Sequence, residues 1–184
     1  MAFRLALLFL VAFPAWAAEV AGVKLDDRTR VSGTELMLKG AGLRKRAFFQ
    51  VYAMGLYLQD AKADPISQPG PKRVHIHMLR DVGAEAFTEA LADGIRANHS
   101  DAEAKALEPR IKELAAIMAE VKEAKKGMAI ALDFQPASGT VMLVNGAPRG
   151  KPIAGEDFYR ALLRIWVGDK AVQDDLKRAL LGGG

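Results

Sequence analysis

Arg44 stands just ahead of an apolar, aromatic run, FFQVYAMGLYL, over residues 48–58. A guanidinium entering a hydrophobic wall is costly unless it has a partner or reaches water. One partner that suits it is the acidic or phenolate end of an otherwise greasy small molecule, which Arg grips through two parallel hydrogen bonds. If residues 44–58 form one extended strand, Arg44, Arg46, Phe48, Gln50, Tyr52 and Met54 share a face by period two. Arg44 and Tyr52 then look into the same space, and Tyr52 can donate a second hydrogen bond to a carboxylate. The plainer alternatives are a solvated strand end, with Lys45 and Arg46, for Arg44 and a core position with its hydroxyl at the edge for Tyr52.

His75 and His77 form a His-x-His pair that puts two imidazoles on one strand face, as metal sites do. No third ligand is evident nearby except Asp81, and His99 belongs to a helix end. They are read as half-exposed sheet histidines, and no metal or cofactor is expected. Phe48, Phe49, Met54, Phe87, Ile95 and Met118 are able to line a cleft, although plain core is the commoner use of such residues.

The elements that must position these residues follow from periodicity. Thr34–Leu38 alternates and reaches Gly40, read as a turn, before the aromatic run. Gly55 marks a bulge or a close backbone approach. The loop AKADPISQPGP (61–71) carries three prolines and leads to a second alternating stretch, Lys72–Leu79, with Val74, Ile76 and Met78 on one face. Residues 84–97 place Phe87, Ala90, Leu91, Gly94 and Ile95 at helical spacing. Ser100-Asp101-Ala102-Glu103 is a capping box that opens a further helix, in which Pro109 predicts a kink or restart. Strands return at Met128–Phe134 and Thr140–Val144, and Asn145-Gly146 turns into a third strand near Lys151–Ile153. Helices around Asp157–Val167 and Gln173–Leu181 close the order. Strands, helices, strands, helices without regular βαβ alternation predict an α+β domain, an antiparallel sheet with helices on one face.

The first residues read as a leader outside that domain. Arg4, the apolar stretch LALLFLVAF (5–13), Pro14 and Ala15-Trp16-Ala17 form a secretory signal with cleavage before Ala18, and hence a periplasmic or secreted protein. The apolar stretch is about half the roughly 20 residues that cross a bilayer. The remaining 167 residues (184 − 17) are enough for one domain, 18–184, with a real core. No cysteine is present, so packing alone must hold it. Without Arg4, 25 basic residues (26 − 1) face 22 acidic ones, a net +3 read as solubility charge rather than a nucleic-acid footprint.

Three blocks, GAGLRKRAFFQVYAMGLYLQD (40–60), KRVHIHMLRDVGAEAF (72–87) and FYRALLRIWVGDKAVQDDLKRALLG (158–182), resemble the chalcone isomerase-like family in its bacterial secreted branch. The resemblance implies an open-faced β-sandwich: a large antiparallel sheet, a helix layer on one face and a ligand cleft between. Plant members close a chalcone to a flavanone, and non-catalytic relatives bind fatty acids in the same cleft. In both, an arginine of the GAGLR strand meets the acidic oxygen of the ligand, which implies that role for Arg44.

Other catalytic positions of the plant enzymes are not matched. Their helix tyrosine falls on Phe87, a lysine one turn on falls on Ala90, and an asparagine a further turn on falls on Gly94. A threonine of the carboxy-terminal helix falls on Ile165, and a strand threonine on Tyr52. Missing donors are each worth a factor of about 10²–10⁴ in rate. The resemblance therefore implies a non-catalytic binder of fatty acids or similar apolar acids, with Arg44, Tyr52, Phe87 and Ile165 at the ligand. The alternatives are an isomerase acting on chalcone-like phenolic enones, with Arg44 catalytic, and a structural or partner-binding domain whose cleft is filled by its own side chains.

Overall fold

In the computed structural model of the protein, residues 18–183 are described, so the leader expectation lies outside the described residues. The chain opens with a short hairpin, β1 (Ala18–Val20) and β2 (Val23–Leu25). Strands β3 (Arg28–Val31), β4 (Thr34–Arg46), β5 (Phe49–Leu58) and β6 (Lys72–Met78) follow. The two-residue strands β7 (Val82–Gly83) and β8 (Glu123–Ala124) bracket the helices α1 (Ala84–Ala97) and α2 (Asp101–Val121). Strands β9 (Ala129–Gln135), β10 (Gly139–Val144) and β11 (Ala147–Ile153) lead to α3 (Glu156–Val167) and α4 (Asp174–Leu180).

Seven strands form one antiparallel sheet in the order β11-β10-β9-β6-β5-β4-β3, the α+β arrangement that the element order predicts. Alternation decides its faces. Met54, Leu56 and Leu58 of β5, Val74, Ile76 and Met78 of β6, and Ile130, Leu132 and Phe134 of β9 join one core with Phe87, Leu91 and Ile95 of α1 and Phe158, Leu162 and Trp166 of α3. The outer face carries a small second cluster of Val31, Leu36 and Tyr57. His75 and His77 lie there, half-buried. So does Arg73, which donates to both oxygens of buried Asp133 at 2.6 Å.

Four local expectations change, and at Gly55 one of the two stated alternatives holds. Residues 44–58 are not one strand: Ala47 and Phe48 turn between Arg46 and its partner Phe49, with Ala47 left-handed at φ 52°. No Gly, Asn or Pro announces that turn. Phe48 (100 % exposed) and Phe49 (59 %) sit at its tip, so neither lines a cleft nor joins the core. Strand β4 continues through Gly40, with a bulge at Lys39 just before it. A Cβ at Gly40 would lie 2.1 Å from the Ala179 carbonyl oxygen, and one at Gly42 2.8 Å from Leu176 Cδ1. These glycines let α4 lie directly on the strand, which is why a turn residue occurs inside a strand. Gly55 keeps regular pairing with Ala41 and His75, so close approach, here by Leu38 and Leu25, is its use. Finally, α2 is one helix across Pro109, held by the Ser100–Glu103 capping box at its start and by buried Leu107, Ile111, Leu114 and Met118. One missing N–H is outweighed by that burial.

Candidate functional site

Arg44 lies directly across from Tyr52 in the β4–β5 ladder. The shared space expected of these two residues is therefore reached by cross-strand pairing, not by spacing along one strand. The next pair is Lys45 with Gln50, so Val51 is an extra residue in β5, a bulge. The Val51 carbonyl accepts from the Leu79 N–H at 2.9 Å, which fastens this end of β5 to the chain leaving β6.

The seating of α4 on Gly40 and Gly42 brings Gln173, its N-cap residue, to the next stretch of β4. Gln173 Nε2 donates to the Leu43 carbonyl at 2.9 Å. Its Oε1 accepts from the Lys45 N–H at 2.7 Å and from Arg44 Nη1 at 3.1 Å. Arg44 Nη1 also donates to the Lys45 carbonyl. Both acceptors are neutral, and no carboxylate pairs with Arg44 among the described residues. Nη1 makes both of these bonds, and the guanidinium also lies within hydrogen-bonding reach of the Tyr52 hydroxyl oxygen. A half-buried guanidinium with spare donors is thus fixed in place by an amide.

Tyr52 is set from the other side. Trp166, 1 % exposed on α3, donates its Nε1–H to the Tyr52 hydroxyl oxygen at 2.8 Å. An oxygen that accepts this bond keeps its own proton for another acceptor. Burial raises the Tyr52 pKa above 10.0, while the Trp166 bond and then the Arg44 charge oppose the rise. The hydroxyl therefore stays protonated at neutral pH. Arg44 and Tyr52 together present hydrogen-bond donors of the kind a carboxylate takes.

Phe87 and Ile165 lie in the same core cluster as Tyr52, 7 % and 2 % exposed. Ile165 packs on Gly94, where a Cβ would come within 2.7 Å of its Cγ2, so α1 and α3 are in close contact. Ala90 is exposed and does not enter the layer. These side chains occupy the layer between sheet and helices. Two cavities lie elsewhere: one of ≈ 180 Å³ on the outer sheet face by Tyr57, Arg73 and His75, and one of ≈ 310 Å³ between α2 and α3 by His99, Arg110 and Arg164. Neither is lined by Arg44, Tyr52, Phe87 or Ile165. Among the described residues no group of three or more His, Cys, Asp or Glu comes together for a metal ion.

Gln173 and Trp166 are the two positioning residues that sequence reasoning misses. Trp166 is legible as a buried helix residue, but nothing local marks it as a donor to Tyr52. Gln173 has no local signal, because its partners are 128–130 positions away.

A family model described as chalcone isomerase-like matches residues 17–182. Among solved structures, a fatty-acid binding protein from Arabidopsis thaliana matches with a TM-score of 0.67 at 14% identity, over 87% of this chain and 92% of that one. At that identity the likeness is one of fold. No curated protein matches in sequence.

Proposed function

The chain belongs to the chalcone isomerase-like family, and from that premise we propose that it binds a fatty acid or similar apolar acid, with the head group on Arg44 and Tyr52. The observation that carries the reading is the pairing of a guanidinium that has no carboxylate partner among the described residues with a phenol whose proton Trp166 leaves free. The fold match to a protein that binds fatty acids supports it. An alkyl tail has one direction to take from that head group, into the layer between the sheet and α1 and α3. That layer holds Met54, Met78, Met118 and Met142, unbranched side chains that repack readily around a guest. Helices α1 and α3 begin at Gly83 and Gly155, with no side-chain cap at either start. Entry of a tail requires these two helices to part. An isomerase reading needs proton donors around an enone, and Phe87, Gly94 and Ile165 offer none.

The leader pattern supports export to the periplasm or medium, with the domain starting at Ala18. Native mass spectrometry of protein recovered from outside the cytoplasm tests both parts. The expected mass is that of a chain beginning at Ala18 with an amphiphilic acid bound. In titrations with a long-chain fatty acid, Arg44→Gln is expected to bind about 10–100-fold more weakly, as loss of a hydrogen bond to a charged group predicts. Equal affinity of wild type and Arg44→Gln refutes the assignment of the head-group site, and a chain still beginning at Met1 refutes the cleavage.

A further inference from the structure

The β4–β5 hairpin carries two phenylalanines into solvent at one end of the sheet. Phe48 is 100 % exposed and Phe49 59 %. Phe48 occupies the apex because Ala47 adopts the left-handed conformation, φ 52°, which a residue with a side chain takes at some cost. Neighbouring exposed aromatic rings on a protruding tip are what interaction sites show and what a freely soluble surface avoids.

The surroundings of these rings are cationic. Lys45 and Arg46 precede the turn and are exposed. Arg80, exposed on the segment leaving β6, sets its guanidinium 4.5 Å from the Phe49 ring centroid. That segment is tied to the hairpin base by the Leu79–Val51 hydrogen bond. Exposed Lys125 and Lys126 reach the same end of the sheet, where the Gly127 N–H donates to the Met78 carbonyl at 2.8 Å. The carboxylates beside these cations are Asp175 of α4, whose charge Lys45 favours, Asp81, which accepts from the Lys126 N–H at 2.7 Å, and Glu123, in the strand β8 just before Lys125.

We propose that this hairpin tip docks on an anionic lipid bilayer, the phenyl rings entering among the acyl chains while Lys45, Arg46 and Arg80 lie on the head groups. Cations near an anionic surface and apolar rings at the interface act together in this way. A convex tip complements a deformable anionic surface, whereas a folded protein partner would need a preformed aromatic pocket. The inference is independent of acid binding at Arg44. Because Arg44 lies on the same hairpin, docking also brings that residue to the membrane.

The absence of cysteine makes the test site-specific. Phe48→Cys carries a nitroxide on the protein as purified from expressing cells, and Glu113→Cys, exposed on α2, carries the reference label. With vesicles containing phosphatidylglycerol, the label at 48 is expected to lose contact with a water-soluble relaxing agent and gain contact with oxygen. The label at 113 is expected to stay in water. Adding Arg46→Glu to the labelled Phe48→Cys protein should weaken this partition about tenfold. A label at 48 that remains in water on these vesicles overturns the proposal. Equal insertion into vesicles of phosphatidylcholine alone overturns its anionic part. Immobilisation by added protein but not by lipid assigns the tip to a protein partner instead.

Discussion

Replacing Tyr52 by Phe removes a donor from the proposed head-group site and, at the same time, the acceptor of a buried indole N–H. The second loss falls on stability. A buried polar group left without a partner costs about 1–3 kcal/mol, whereas removing both partners costs far less. Tyr52→Phe is therefore expected to lower unfolding free energy by about 1–3 kcal/mol, and Tyr52→Phe with Trp166→Phe to cost less than the sum of the two single changes. Denaturant titration of the four proteins checks this; strict additivity would mean that the 2.8 Å contact carries no energy. Gln173 is the comparable case for Arg44, since one amide satisfies a strand carbonyl, a strand N–H and the guanidinium together.

Helix α4 on strand β4 shows how an element sets a residue. The two inner glycines differ in what a methyl group would meet: main-chain oxygen at Gly40, side-chain atoms of Leu176 and Ala179 at Gly42. Backbone cannot step aside as the Leu176 rotamer can, while Ala179 Cβ, met at Gly42, is as fixed as the backbone. Gly40→Ala is thus expected to cost the upper part of the roughly 1–3 kcal/mol of an overpacked contact and to loosen α4, while Gly42→Ala costs less. Thermal unfolding and proteolysis within residues 174–180 check the order, and equal losses contradict it. The same pair explains what sequence periodicity can and cannot tell. Alternation in 72–78 and the helical spacing of 84–97 were legible because each face meets one environment. Residues 34–58 misled, because Gly40 serves helix contact rather than a turn, while the true turn at Ala47-Phe48 lacks turn residues. Arg44 and Tyr52 were legible through the strand block that resembles the family. The residues that hold them, Gln173 and Trp166, act over more than a hundred positions and leave no trace in local pattern.

At the scale of the whole molecule, charge and protonation act on stability as well as on docking. The excess of four positive charges counted over the full chain is modest, yet Lys45, Arg46 and Arg80 gather at one tip of the sheet. On the outer face His75 lies half-buried beside Arg73 and His77, with Asp26 opposing them, and burial first, then the Arg73 charge, lowers its pKa below 6.5. Above that value both folded and unfolded chains hold it neutral. As pH falls through it, the unfolded chain takes up a proton that the folded chain refuses, so stability drops until the folded pKa is passed. The fall in Tm between about pH 7 and about pH 5 should be smaller in His75→Gln than in wild type. An unchanged fall would show that other groups carry the acid sensitivity. One consequence of the Arg44–Gln173 bond concerns time rather than energy. The two residues are 129 positions apart, so a ribosome has long since extruded the arginine when the amide that steadies it emerges. A growing chain displays that cation unrestrained until α4 has been made and has settled onto its glycines.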